Sequence, residues 1–277
     1  MAIAYITNSV ANPGTSSSAT KVTSAVDTTG ADAIIVFTQL VDSLDKMSSV
    51  TDSDGNTYTL ITSMDAGQSW HYAHIATGIT TSASNVVTVT STTSERGMAH
   101  MVAYSGVDQV TPTYAAATDI VSPMSIDITT TSDTDLCVSY IGGRALTITG
   151  PSGSQTERVN TNGSFCDGAV MDIEVVTAGT QTMGWTSSGT TYIGSIAFGV
   201  TAAILFQTEI EGYRFREDDG SETTATWLEA QDTVASVEKE TAVRLRMLSD
   251  FTVGPSDVKV TLQYKRTDED STQWRNV

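Results

Sequence analysis

Three histidines, two cysteines and a scatter of aromatic and acidic side chains are the groups in this 277-residue sequence that could do chemistry. His71 and His74 lie three apart in an aromatic, β-branched stretch. In a strand that spacing puts them on opposite faces, so they cannot readily share a metal ion. His100 is a lone third candidate. No Gly-x-Ser-x-Gly turn is present to expose a serine nucleophile, and Cys–His chemistry has no local support. A glycosidase carboxylate pair is assembled by the fold rather than by spacing, and Glu95, Glu157 and Glu174 carry no recognisable motif. The reading is non-enzymatic, with no catalytic residue, metal ligand or cofactor assigned.

Acidic clusters point to turns. Asp52-Ser-Asp54-Gly55-Asn56 superficially matches the start of a calcium loop. That loop needs Gly at its sixth position and Glu at its twelfth, where this chain has Thr57 and Ser63. A hairpin turn is expected there instead. Glu217-Asp218-Asp219 and Asp268-Glu269-Asp270 read as solvated turns with weak calcium binding as the alternative. Trp70, Tyr72, Trp185 and Tyr192 are the aromatic residues best suited to stack against a sugar; the competing reading at strand positions is core packing. Arg214 and Arg216 flank Phe215 and would share one strand face. They could dock on an acidic protein surface, or pair across the sheet with Glu222 or Glu229.

The elements that must position these residues are strands. Ala33–Thr38 is a continuous apolar run, as for a strand buried on both faces, whereas Val87–Thr90 alternates as for a half-exposed one. Tyr58–Thr62, Trp70–Ile75, Met98–Tyr104, Leu136–Ile141, Ala169–Val176 and Tyr192–Val200 are further strands. Asp54-Gly55-Asn56, Ser105-Gly106, Gly142-Gly143, Gly150-Pro151 and Ser188-Gly189 punctuate them. The chain holds 46 Thr and 31 Ser, and β-branched threonine suits strands while wetting a sheet without charge. Near residue 203 the composition changes. Residues 1–203 hold 17 acidic and 5 basic side chains, while the 74 residues after them hold 15 and 9. Such a shift marks a module boundary. The expectation is an all-β chain: an N-terminal jelly-roll or β-sandwich domain over 1–203, then a smaller immunoglobulin-like β-sandwich over 204–277. Strands are expected at Tyr213–Arg216, Thr223–Leu228, Ala242–Met247 and Val258–Tyr264, with Trp274 closing the last; residues 228–240 stay open between helix and loop.

A net charge of −18 argues against nucleic-acid binding, and no apolar run is long enough for membrane insertion by a helix. The start, Met1 to Ile6, has no basic leader or apolar core, so classical secretion is not expected. Cys137 and Cys166 are too few for a disulfide framework, and either a single pair or two reduced thiols is open.

The opening Met1–Ile6, Thr51–Thr59, Ala103-Tyr104-Ser105-Gly106-Val107 and Ile196-Ala197-Phe198 resemble a β-sandwich module of tailed-phage virion proteins and bacterial surface proteins. Tyr213–Trp227, with Leu245-Arg246 and Gln263–Arg266 to Trp274, resembles a second module of phage structural proteins. Ala103 departs from the acidic residue the first module would have before Tyr-Ser-Gly. The resemblance implies a structural component of a virion assembled in host cytoplasm: head decoration or head fibre first, tail fibre or adhesin binding a host surface glycan second. Its partners would be other capsid or tail proteins and further copies of itself.

Overall fold

The structure is a computed structural model that describes residues 2–11, 17–163, 165–189, 191–203, 208–217, 226–233, 243–251, 263–264 and 275–276. The protein is all-β: among the described residues there is strand, bridge, turn and bend, and no helix. The chain divides into two compact units, Met1–Ala203 and Ile204–Val277.

The larger unit is built from two lobes with one topology. The first contains β1 (Ala4–Ala11), β2 (Ser18–Val22), β3 (Ala33–Val41), β4 (Met47–Asp52), β5 (Thr59–Asp65), β6 (Trp70–Thr77) and the 19-residue β7 (Val87–Ser105). The second contains β8 (Thr113–Asp119), β9 (Ser125–Thr129), β10 (Leu136–Arg144), β11 (Thr147–Pro151), β12 (Thr156–Asn162), β13 (Asp167–Glu174), β14 (Thr180–Ser188) and β15 (Thr191–Val200). In lobe 1 the main sheet runs β1-β7-β3-β6-β5, and the first half of β7 leaves it to pair with β2 and β4. Lobe 2 repeats this as β8-β15-β10-β13-β12, with β14 between β9 and β11. The long β7 thus does the work of both β14 and β15. Matching details follow the repeat. Asp32 and Asp135 each precede the central strand, and each accepts a backbone N–H from the end of the last strand, Gly106 and Ala202 respectively.

The two main sheets face each other, and this explains their sequence. Strand alternation sends Ile35, Phe37, Val102 and Tyr104 of lobe 1 into one cluster with Val138, Tyr140, Ile196 and Phe198 of lobe 2. The opposite faces of the same strands fill separate cores, around Ile34, Val36, Val89 and Met101 in lobe 1 and around Ile141, Met171, Met183 and Trp185 in lobe 2. The central strands are therefore buried on both faces and read as continuous apolar runs. Within residues 1–203 the all-β unit comprises a pair of lobes, because each main sheet has two apolar faces and needs two covers.

Two local expectations change as well. Val87–Thr90 and Met98–Tyr104 belong to one strand that crosses between sheets after Glu95, just before Gly97, where a Cβ would lie 2.3 Å from the Gln39 carbonyl oxygen. The Asp54-Gly55-Asn56 turn is no hairpin: it carries the chain from β4 in the small sheet to β5 in the main one. Asp52 organises it, accepting from Asn56 N (2.9 Å), Asn56 Nδ2 (2.8 Å), Tyr58 Oη (2.9 Å) and Asn85 Nδ2 (3.2 Å). Burial opposes ionisation, but these hydrogen bonds outweigh it and hold the carboxyl below its usual range.

In the second unit, β16 (Thr208–Glu217) pairs antiparallel with β17 (Val243–Phe251), and β18 (Gln263–Tyr264) with β19 (Arg275–Asn276). Arg216 bridges to Trp227. Asp218, Asp219, Glu222, residues 223–225, 234–242, 258–262, 268–270 and Trp274 lie outside the described residues; of the four expected strands, Tyr213–Arg216 falls within β16 and residues 243–247 within β17.

Candidate functional site

One end of the paired main sheets gathers three of the five cations of the larger unit. Arg96 pairs in register with Val41 at the end of β3, Arg144 ends β10, and Phe165 precedes β13. The Arg96 guanidinium carbon lies 3.7 Å from the Phe165 ring centroid and that of Arg144 lies 4.3 Å from it. Arg144 also lies 5.4 Å from the Tyr192 ring centroid, at the start of β15. Arg96 comes from lobe 1 and the other three residues from lobe 2, so the cluster straddles the interface. Lys21 on β2 is nearby, 7% exposed, its Nζ donating to the Ser18 carbonyl at 2.6 Å. Its charge acts on Cys166, next to Phe165. A guanidinium stacked on a ring presents its N–H edge outward, where it can hold an oxyanion in two-point fashion.

Beneath this end, the interface turns polar. Gln39 Nε2 donates to the Gly143 carbonyl and to Ser69 Oγ, both at 3.0 Å. His71 and His100 are fully buried, their rings 6.1 and 5.6 Å from that of Tyr140. His71 packs against Gly194 and His100 against Gly168, glycines of the opposite lobe that leave room for an imidazole. Burial lowers His71 to about 4 and His100 to about 3, with weak opposition from the Tyr192 and Gly168 backbones. Both rings are thus neutral at neutral pH. His74 sits on the other face of β6 beside Tyr72, as strand alternation requires, and burial lowers it to about 4. The geometry provides packing and neutral hydrogen-bonding groups rather than a metal centre.

The four aromatic residues singled out in sequence do not form one platform. Trp185 is 1% exposed in the lobe 2 core, its Nε1 donating to Ser139 Oγ at 3.1 Å. Tyr72 is 2% exposed, donates to Asp45 Oδ1 and stacks on half-buried Trp70 at 6.1 Å. Neither Trp185 nor Tyr72 offers a ring face to a ligand. Tyr192 is half-buried, has a positive φ of 53° and packs against Gly67 and Arg144. It is the one of the four that joins the cationic end. In the smaller unit, Arg216 is 3% exposed, while Arg214 stacks over Trp227 at 4.5 Å and its Nε donates to the Glu229 carbonyl at 2.8 Å. These arginines are engaged in packing the unit. Cys137 and Cys166 are both free buried thiols, pushed up to about 12 mainly by burial, which makes them poor nucleophiles.

Lys21, Arg96, Arg144 and Phe165 were missed by the sequence reading. The signal that could have found them is scarcity: three of the five basic residues in 1–203 meet here, although nothing in their spacing says so. A surface groove of about 670 Å³ lies where the edge strands β5 and β8 pass each other, lined by Thr59, Leu60, Val110 and Tyr114. The corresponding crevice between β1 and β12 differs. There Arg158 lies 4.5 Å from the Tyr5 ring centroid, and Asn8 donates to the Arg158 carbonyl at 3.0 Å. Comparison with protein-family models, with curated proteins and with solved structures finds no match to this chain.

Proposed function

We propose that the protein is a non-enzymatic structural component of a virion, displayed on the particle as head decoration or head fibre. The observation that carries this reading is mechanical. Two lobes of one topology share an apolar core between their main sheets, giving a stiff body whose exterior is acidic and rich in hydroxyl groups. Interiors packed this way deform little and hold surface features at fixed separations, as display requires. Each lobe's strand order, with its fifth strand carried by the larger sheet, supports reading it as a jelly-roll variant. The resemblance of the Ala103–Val107 and Tyr213–Trp227 stretches to phage modules supplies the virion context. In that role the chain repeats with the particle's symmetry, contacts capsid or tail proteins, and makes or breaks no bond.

The test is co-sedimentation with empty capsids, followed by electron microscopy of intact particles. Saturation at a copy number matching the lattice is expected. A freely soluble monomer that ignores particles, or turnover of a polysaccharide lost on replacing one carboxylate, overturns the reading. The tail-adhesin alternative is favoured by one observation, the cation–aromatic cluster of Arg96, Arg144, Phe165 and Tyr192.

A further inference from the structure

We infer that the Arg96–Phe165–Arg144 end is a binding site for an acidic saccharide, one whose sugar ring carries a carboxylate or phosphate. The inference goes beyond the virion reading and stands without it. Both guanidinium carbons lie within 4.3 Å of one ring centroid, so two like charges are held apart by no more than the width of that stack. An anion beside the two groups offsets their repulsion. Among the described residues the ion pair is Arg158 with Asp172; no carboxylate comes within ion-pair distance of Arg96, Arg144 or Lys21. The nearest acids are otherwise engaged. Glu95 accepts from Thr93 Oγ1 at 2.7 Å, and buried Asp167 accepts from Leu146 N at 2.8 Å.

The arrangement fits a saccharide anion better than a bare ion. Both guanidinium groups lie over Phe165, and each keeps N–H donors available to an oxyanion. Half-buried Tyr192, beside Arg144, supplies an aromatic ring of the kind that packs on the C–H face of a sugar. The site also lies in a unit with 17 acidic side chains against 5 basic ones. That surround repels polyanions at large and leaves one cationic end for a short acidic stretch.

The experiment is calorimetric titration of the intact protein with hexagalacturonate, with maltohexaose phosphorylated on its sugar rings and with neutral maltohexaose. Saturable binding of one or both anionic oligomers is expected, and which of the two binds separates a carboxylate from a phosphate source. R96Q and R144Q are each expected to weaken it tenfold or more, while K46Q, which removes the same charge elsewhere, leaves it unchanged. F165L keeps both charges and removes the ring, so it covers the case in which an arginine variant does not fold; it too is expected to weaken binding. The inference is overturned if neither anionic oligomer saturates, if maltohexaose binds as tightly, or if K46Q weakens binding as much as R144Q. Undiminished binding by F165L overturns it as well. Failure of these titrations leaves capsid co-sedimentation untouched, so the two readings fail separately.

Discussion

At the scale of single residues, the histidines give the clearest consequence. A histidine whose folded value lies below its free value of about 6.5 binds its proton more weakly when folded. Acid therefore favours the unfolded chain. The stability that His71, His74 and His100 contribute as neutral groups is complete above about pH 6.5 and is lost as pH falls toward about 4 for the first two and about 3 for His100. Each costs roughly 1.4 kcal/mol per pH unit across that window, His74 less because it reaches the rim. Domain stabilities are about 5–15 kcal/mol, so urea midpoints are expected to drop steeply between pH 6 and pH 4.5. His71→Asn is expected to flatten that slope by about one proton; midpoints that stay level down to pH 5 would show that the interface histidines are not buried neutral. Gly97 makes a second residue-scale case. A Cβ there meets backbone at the Gln39 carbonyl oxygen, 2.3 Å away, as well as the Lys21 and Leu40 side chains. Backbone cannot swing aside, so Gly97→Ala is expected to cost about 2–3 kcal/mol, at the upper end for overpacking. Gly30, with φ +85° and open space around it, is the control: Gly30→Ala is expected to cost only about 1 kcal/mol of backbone strain.

At the scale of elements, what a strand looks like in sequence depends on how many of its faces are covered. The run Ala33–Thr38 and the run Leu136–Ile141 were legible because both faces are buried, and β3 and β10 are indeed the centres of their sheets. Strands β1, β2, β4, β8, β9, β11, β12 and β14 were not picked out, since edge and small-sheet strands carry little apolar signal. Trp185 on β14 shows where residue type misleads. An aromatic in a polar stretch, Met183-Gly-Trp185-Thr-Ser, admits a sugar shelf beside the commoner core reading, and burial decides for core. Its indole fills the lobe 2 core among Met124, Ile126 and Ile148. Trp185→Ala is therefore expected to cost about 3–5 kcal/mol in equilibrium unfolding and to leave Ser139 Oγ without its donor. A variant of undiminished stability would mean the ring faces solvent after all. The cationic end was illegible for a related reason. Arg96 lies in the middle of β7, Arg144 at the end of β10 and Phe165 just before β13, in two lobes, and sequence spacing carries no trace of a meeting made by register.

At the scale of the whole molecule, the repeat of topology in the larger unit was in the sequence but too weak to notice. Asp32-Ala-Ile-Ile-Val-Phe37 and Asp135-Leu-Cys-Val-Ser-Tyr140 align as Asp, three apolar positions, one variable position and an aromatic. Even these two segments share only the Asp, differing at Ala33/Leu136, Ile34/Cys137, Ile35/Val138, Val36/Ser139 and Phe37/Tyr140. What persists is the demand of position: an acidic cap before the central strand and an aromatic at the middle of the interface. Phe37 and Tyr140 fill that place from the two sides, their rings 5.2 Å apart and 11° from parallel. Such an interface couples the lobes. Neither main sheet can shed its partner without exposing a full apolar face, including Ile35, Phe37, Val102 and Tyr104 on one side. The two lobes are therefore expected to unfold together. Differential scanning calorimetry of residues 1–203 should give one transition whose calorimetric and van't Hoff enthalpies agree. Residues 1–108 expressed alone are expected to self-associate through the bared sheet, because a contiguous apolar face of that size rarely stays in water. Mixing with residues 109–203 is expected to convert them to a one-to-one complex, seen as a shift in sedimentation. Two well-separated calorimetric transitions, or a first lobe that stays monomeric and melts cooperatively alone, would show that the shared core is an incidental contact and that stiffness, on which the display reading rests, has another origin.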